Sequence, residues 1–225
     1  MKKLIVCAGE SESFDFAVPI GIGLVQSGIN LSEILTKLAL FDELKSLENS
    51  DENLAKIIQR ECEADTNMAK ILADFTPKNT KSERNFLPSE IIFIGSAGLY
   101  QKGELFEIFE SKNAANIEIS LLDDKSYVPV PQDIFNDVSQ ETFINSSNFI
   151  TKNKESAKKL FELGAYAENM EFFAVLATAQ KFGIDAKGIF VATNFCDTNA
   201  HTEFVKNHAL AKDILHNYLE EKGLI

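Results

Sequence analysis

The sequence has no basic patch interleaved with aromatics, and its 22 Lys and Arg are outnumbered by 34 Asp and Glu, for a formal net charge of −12. Non-specific attraction to nucleic acid or to an anionic membrane surface is therefore not expected. No run approaches the roughly 20 apolar residues of a membrane span. Lys2 and Lys3 precede "LIVCAG", which is too short for a secretory core, and "GESESFD" follows at once. A cytoplasmic chain is expected. Cysteine is scarce: Cys7, Cys62 and Cys196 are far apart, form no CxxC pair, and read as buried thiols of a reducing compartment. His201, His208 and His216 fall in or near a C-terminal helix without HExxH spacing, so they read as surface or interface residues and no metal is expected. "GSAG" at 95–98 lacks the spacing of a dinucleotide fingerprint and reads as a tight turn after a strand.

What is present is an ordinary globular composition, 225 residues with 45% hydrophobic, long enough to bury a substantial core. "KLIVCAG" reads as a buried first strand. "AVPIGIGLVQSGI" carries Gly21, Gly23 and Gly28 and reads as a strand running into a loop. Apolar spacing over 31–47 predicts a helix with Ser32 as its N-cap. From 49 to 86 the chain turns charged, with one or two amphipathic helices and then the polar loop "TPKNTKSERN". This reads as a helical insertion at about 41–86, not a second domain. "EIIFIGSAGLY" is the clearest buried strand, and "ELFEIFE" with "NIEISLLD" is expected to form a hairpin. "ETFINSSNFI" is strand-like and "NKESAKKLFELG" helical. "AENMEFFAVLATAQKFGI" (167–184) reads as an apolar helix, and "GIFVATNFCD" as a late buried strand with polar residues at its carboxyl end. A C-terminal helix closes the chain. Strands alternating with helices predict one α/β domain, a central mixed sheet flanked by helices. Ligands of such sheets collect beyond the carboxyl ends of strands.

Glu171 stands out, because an anion in so apolar a stretch is costly unless it has a partner. Three other stretches share that polar character: "AGESE" after the first strand, "IGSAG" after the middle one, and "ATNFCD" ending the late one. Each alone has an ordinary explanation. Glu10 and Glu12 serve as solvated loop charges, Asn194 as a turn residue, and Glu171 as a first-turn acid favoured by the helix dipole.

Together these stretches resemble the superfamily of purine nucleoside phosphorylases and methylthioadenosine/S-adenosylhomocysteine nucleosidases. The likeness runs through "AGESE", "QSGI" (26–29), "IGSAG", "SNFI" (147–150), "NME", "KFG" and "VATN". It covers about two-thirds of the chain and leaves out the insertion. Met170 and Asn194 lie 24 positions apart, the interval that the family keeps between its ribose-binding Met and its purine-binding Asp or Asn.

The resemblance implies a nucleoside phosphorylase-like fold and cleavage of the N-glycosidic bond of a purine nucleoside or a 5'-modified relative. Glu171 would accept the ribose hydroxyls and favour the cationic sugar of the transition state. The substrate would then be the partner of the buried anion, which the helix dipole would keep ionised meanwhile. Met170 would line the sugar face, Phe149 would stack on the base, and Ser96 would bond the nucleophile. Glu12 occupies the place of the water-activating carboxylate of the hydrolytic branch. Asn194 departs from the Asp of the nucleosidases. It can bond N7 and a 6-oxo group but supplies no proton, and Asp197 would replace it as acid only after a register slip. The only arginines, Arg60 and Arg84, both fall in the insertion, and the segment between "AGESE" and "QSGI" is shorter than in the family. Without phosphate-binding arginines, hydrolysis is expected ahead of phosphorolysis, in which phosphate would be co-substrate. A nucleoside-binding protein without turnover is the third reading. No cofactor is implied, and the family's habit implies a homo-oligomer, a dimer first, with the site near a subunit boundary.

Overall fold

The computed structural model describes residues 2–46, 60, 86–139 and 142–225. The charged helices and polar loop expected between 49 and 86 lie outside the described residues, except for Arg60 and Phe86. The strands are β1 (Lys3–Cys7), β2 (Val18–Pro19), β3 (Glu90–Leu99), β4 (Ile108–Ser111), β5 (Asn113–Ala115), β6 (Asp133–Phe135), β7 (Phe143–Ser146), β8 (Ala165–Asn169) and β9 (Asp185–Phe195). The helices are α1 (Leu24–Ser46), a single turn α2 (Ile119–Leu122), α3 (Lys154–Glu162), α4 (Phe172–Phe182) and α5 (Ala200–Glu221).

Among the described residues the nine strands form one mixed sheet, in the path β2-β1-β3-β8-β7-β5-β6, with β9 joining β3 to β4. β3 is the hinge of this arrangement. It pairs parallel with β1 and β9, and its last residues pair antiparallel with β8. The apolar runs noted in the sequence are strands buried on both faces. Leu4, Val6, Ile91, Phe93 and Phe190 pack on one side with α1 and α4, while Ile5, Cys7, Ile92, Ile94, Ile189 and Val191 pack on the other with α5. The α/β architecture with a central mixed sheet stands as expected.

Several local expectations are corrected. The expected strand-to-loop over 17–29 is only two strand residues long, and its second half belongs to α1, which starts at Leu24. Ser32 is therefore inside the helix, not its cap. "ELFEIFE" and "NIEISLLD" do not pair as a hairpin. β4 lies antiparallel on β9, where Phe109 stacks on its register partner Phe190 at 5.6 Å, and "NIEISLLD" contains the turn α2. The stretch 167–184 opens as strand β8 before α4 begins. Residues 41–46, assigned to the insertion, continue α1. Among the described residues no helix is long and apolar enough to cross a membrane.

Candidate active site

The carboxyl ends of β1, β3, β8 and β9 open onto one cavity of about 300 Å³, a size within the range of small-molecule sites. Glu12, Ser96, Phe149, Met170, Glu171 and Asn194 all line it. Residues spread over most of the chain thus meet in one hollow. Asp197 is not brought in: it accepts from the Asn199 N–H at 2.7 Å and faces Lys154 at 3.4 Å. The alternative acid is therefore withdrawn.

Glu12 sits in a short 3-10 turn after β1 (Glu10–Glu12), and its Oε1 accepts the Ser96 N–H at 2.7 Å. The first strand and the middle strand are thereby tied together at the cavity floor. The Ser96 carbonyl in turn accepts from Asn169 Nδ2 at 3.1 Å. Asn169 also caps α4, its Oδ1 taking the N–H groups of Glu171 and Phe172 at 2.8 and 2.9 Å. Glu171 is at the N-cap position, but its own side chain does not cap, so it is not the first-turn acid the sequence suggested.

The Glu171 carboxylate is 3% exposed and accepts the Gly23 N–H at 2.9 Å. That N–H precedes the first turn of α1, where backbone donors lack helical partners. The next donor, Leu24 N–H, is taken by Asn148 at 3.0 Å. Gly23 itself has φ +82°, and a Cβ there would meet Asn148 Oδ1 at 2.9 Å, so the turn requires glycine. Burial pushes the Glu171 carboxyl up to about 7, the Gly23 N–H opposes this, and the charge of Glu12 adds to the rise. The expectation that the helix dipole keeps the group ionised is corrected on this point. Glu171 already has a backbone partner, and near neutral pH it is poised between acid and anion.

Asn194 is buried on β9, with Oδ1 accepting from Thr193 Oγ1 at 2.9 Å and Nδ2 donating to the Phe195 carbonyl at 3.2 Å. One amide hydrogen is left over by these bonds. Phe149 is 70% exposed at the cavity rim, with its ring free to take a flat ligand.

The sequence reading missed several lining residues. "QSGI" lies within α1, and it is Ile22, in the preceding glycine turn, that reaches the cavity. His201, taken as a surface or interface residue, lines it together with Phe204 at the start of α5. Glu168 was missed because β8 was read as helix; period-2 spacing from Ala165 is the signal that finds it. Cys7 and Cys196 are buried free thiols, as expected. Among the described residues no cluster of three or more His, Cys, Asp and Glu is placed to hold a metal ion.

No family model matches the sequence, and a search of curated proteins finds no relative. Solved structures do match. A futalosine hydrolase mutant from Helicobacter pylori superposes with TM-score 0.60 at 15% identity, over 98% of this chain and all of the other. The 5'-methylthioadenosine/S-adenosyl homocysteine nucleosidase of H. pylori gives 0.61 at 14%, over 98% and 97%. The corresponding nucleosidase of Streptococcus pneumoniae, held with a transition-state inhibitor, gives 0.60 at 14%, over 97% and 96%. The chain has the nucleosidase fold. At such identities the likeness is one of architecture, and it places the cavity within a fold that matches almost end to end.

Proposed function

We propose that the chain cleaves the N-glycosidic bond of a purine nucleoside, or a 5'-modified relative, by hydrolysis. The observation that carries this reading is the convergence of Glu12, Ser96, Met170, Glu171, Phe149 and Asn194 on one cavity. In this reading the ribose lies over Met170, its hydroxyls donate to Glu171, and the purine lies on Phe149. A water between Glu12 and the sugar attacks the anomeric carbon and gives a proton to Glu12, one oxygen of which Ser96 holds. The carbon–nitrogen bond breaks, and its electron pair stays with the purine. The remaining amide hydrogen of Asn194 then bonds N7, which any purine offers, or a 6-oxo group, and the second bond favours a hypoxanthine- or guanine-type base because a 6-amino group is itself a donor. Anionic Glu171 stabilises the positive sugar while that bond is breaking.

Hydrolysis is favoured over phosphorolysis because no Lys or Arg is among the described residues lining the cavity, and phosphate binding calls for such partners. Purified protein incubated with inosine or methylthioadenosine should release free purine without phosphate. Glu12→Gln should lower the rate about a hundred- to ten-thousand-fold. Strict dependence on phosphate would assign the chain to phosphorolysis. Purine binding without cleavage of any nucleoside would make it a binding protein, the reading that Asn194, with no proton to give, favours.

A further inference from the structure

Glu12 stands in a wall with two sides. On one side is the cavity, and on the other is a separate hollow of about 10 Å³, room for roughly one water. Ser11, Glu12 and Ser96 line both, whereas Met170 and Glu171 line the cavity alone. The carboxylate reaches toward the hollow: Glu12 Oε1 is 3.8 Å from where a Cβ on Gly95, a lining residue, would stand. The opposite side of the hollow is α5, which brings His208 and Lys212. His201, Phe204, His208 and Lys212 follow at intervals of three, four and four, so one face of α5 passes the cavity and then the hollow.

The two basic groups at the hollow differ. The His208 ring stacks on Phe204 at 5.6 Å and gives its Nδ1 hydrogen to the Val205 carbonyl at 2.9 Å, so it is held within its own helix. Half-buried Lys212 makes no salt bridge to a described residue, and its ammonium stands 5.0 Å over the ring of Phe14, two residues after Glu12. Cys7, at the end of β1, feels both charges. Burial pushes its thiol up to about 11, Glu12 adds to the rise, and Lys212 opposes it.

The hydrolysis proposed above needs two anions at once. Glu12 takes the proton of the attacking water, while Glu171 favours the sugar cation. Like charges oppose each other's ionisation, and the Glu12 charge does help Glu171 to keep its proton. Glu10 and Glu168 line the same cavity and add charge of the same sign. His201 is the only basic side chain among the described lining residues, and a cation there is on the ligand's side, where it repels the positive sugar. A cation behind Glu12 relieves the repulsion without facing the sugar. We propose that Lys212 is the counter-charge of Glu12, a positioning residue that acts across the hollow and lets both carboxylates be anionic together. This rests on the reading of the cavity as a hydrolytic site.

Lys212→Met keeps an apolar stem against Phe14 and removes the charge. With inosine or methylthioadenosine, kcat should fall about ten-fold or more for the loss of a nearby unit charge. KM should be unchanged, because Lys212 does not line the cavity. The rise of kcat/KM toward about pH 7 should move to higher pH, since the two carboxylates then ionise against each other unaided. Lys212→Arg, which keeps the charge and can still lie over Phe14, should recover most of the rate. In a Glu12→Gln background, where the carboxylate is gone, Lys212→Met should cost nothing further. A Met variant as fast as wild type, or one equally damaging in both backgrounds, would overturn the role and leave the hydrolysis standing. If the Met variant does not fold, Lys212→Gln goes through the same cycle with the same expected losses. A wild-type chain that releases no purine from any nucleoside overturns both.

Discussion

Glu171 lies between two demands. Burial favours its neutral form, whereas a sugar cation needs the anion, and the outcome is a carboxyl raised from 4.5 to about 7. The consequence for stability has a definite sign. Below about pH 4.5 the group is neutral in both folded and unfolded chains and costs nothing. Between there and about 7 the unfolded chain ionises while the folded one keeps its proton, so folding loses free energy as pH rises. The loss levels off above about 7 at roughly 3 kcal/mol, given 1.36 kcal/mol per pKa unit. Glu171→Gln removes it and keeps an acceptor for the Gly23 N–H. Urea unfolding should therefore find the variant about 2–3 kcal/mol more stable than wild type at pH 8 and nearly equal to it at pH 4. The same difference at both pH values would refute the assignment. For the proposed reaction the pH dependence runs the other way, with kcat/KM rising toward about 7 as Glu171 ionises and flattening above.

At the level of elements, the site is an arrangement of helix beginnings. Asn169 caps α4 and grips the Ser96 carbonyl, while α1 gives its first donors to Glu171 and Asn148. Asn169→Ala should cost about 1–2 kcal/mol for the cap, measured by denaturant unfolding. It should also weaken nucleoside binding, since it loosens both Ser96 and the start of α4. A variant as stable as wild type would show that the cap contributes little. These links explain what the sequence disclosed and what it hid. "LIVCAG", "EIIFIGSAGLY" and "GIFVATNFCD" were legible because a strand buried on both faces is a continuous apolar run. Glu12, Glu171 and Asn194 were legible as polar residues where such runs end. The start of α1 was not, because its caps come from residues 124 and 148 positions away, and Ser32 offered a nearer cap that the fold does not use. β8 was hidden for a related reason: "AYAEN" runs without a turn signal into α4, and only pairing with β3 and β7 makes it a strand.

Across the whole molecule, net charge and exposed apolar surface pull in opposite directions. Val25 and Ile29 project from α1 at 67% and 61% exposure, and with Phe173 and Ala177 of α4 they line an open groove. Ile22, just before α1, lines the candidate active site, so the groove and the cavity flank the same helix end. An apolar face of this kind is ordinarily covered in solution, and the expected cover is a second copy of the chain. Each copy carries a formal charge of −12, so two copies repel at long range while their apolar faces attract on contact. Salt screens the first effect and leaves the second, with a Debye length of about 10 Å at 0.1 M. Light scattering at micromolar concentration should therefore find a dimer whose dissociation constant falls as salt is raised from about 0.02 to 0.2 M. Val25→Glu with Ile29→Glu should give a folded monomer, because both positions are exposed within the chain and tolerate charge there. A wild-type monomer at every salt concentration would remove the dimer. A dimer that survives the double substitution would move the interface to another face.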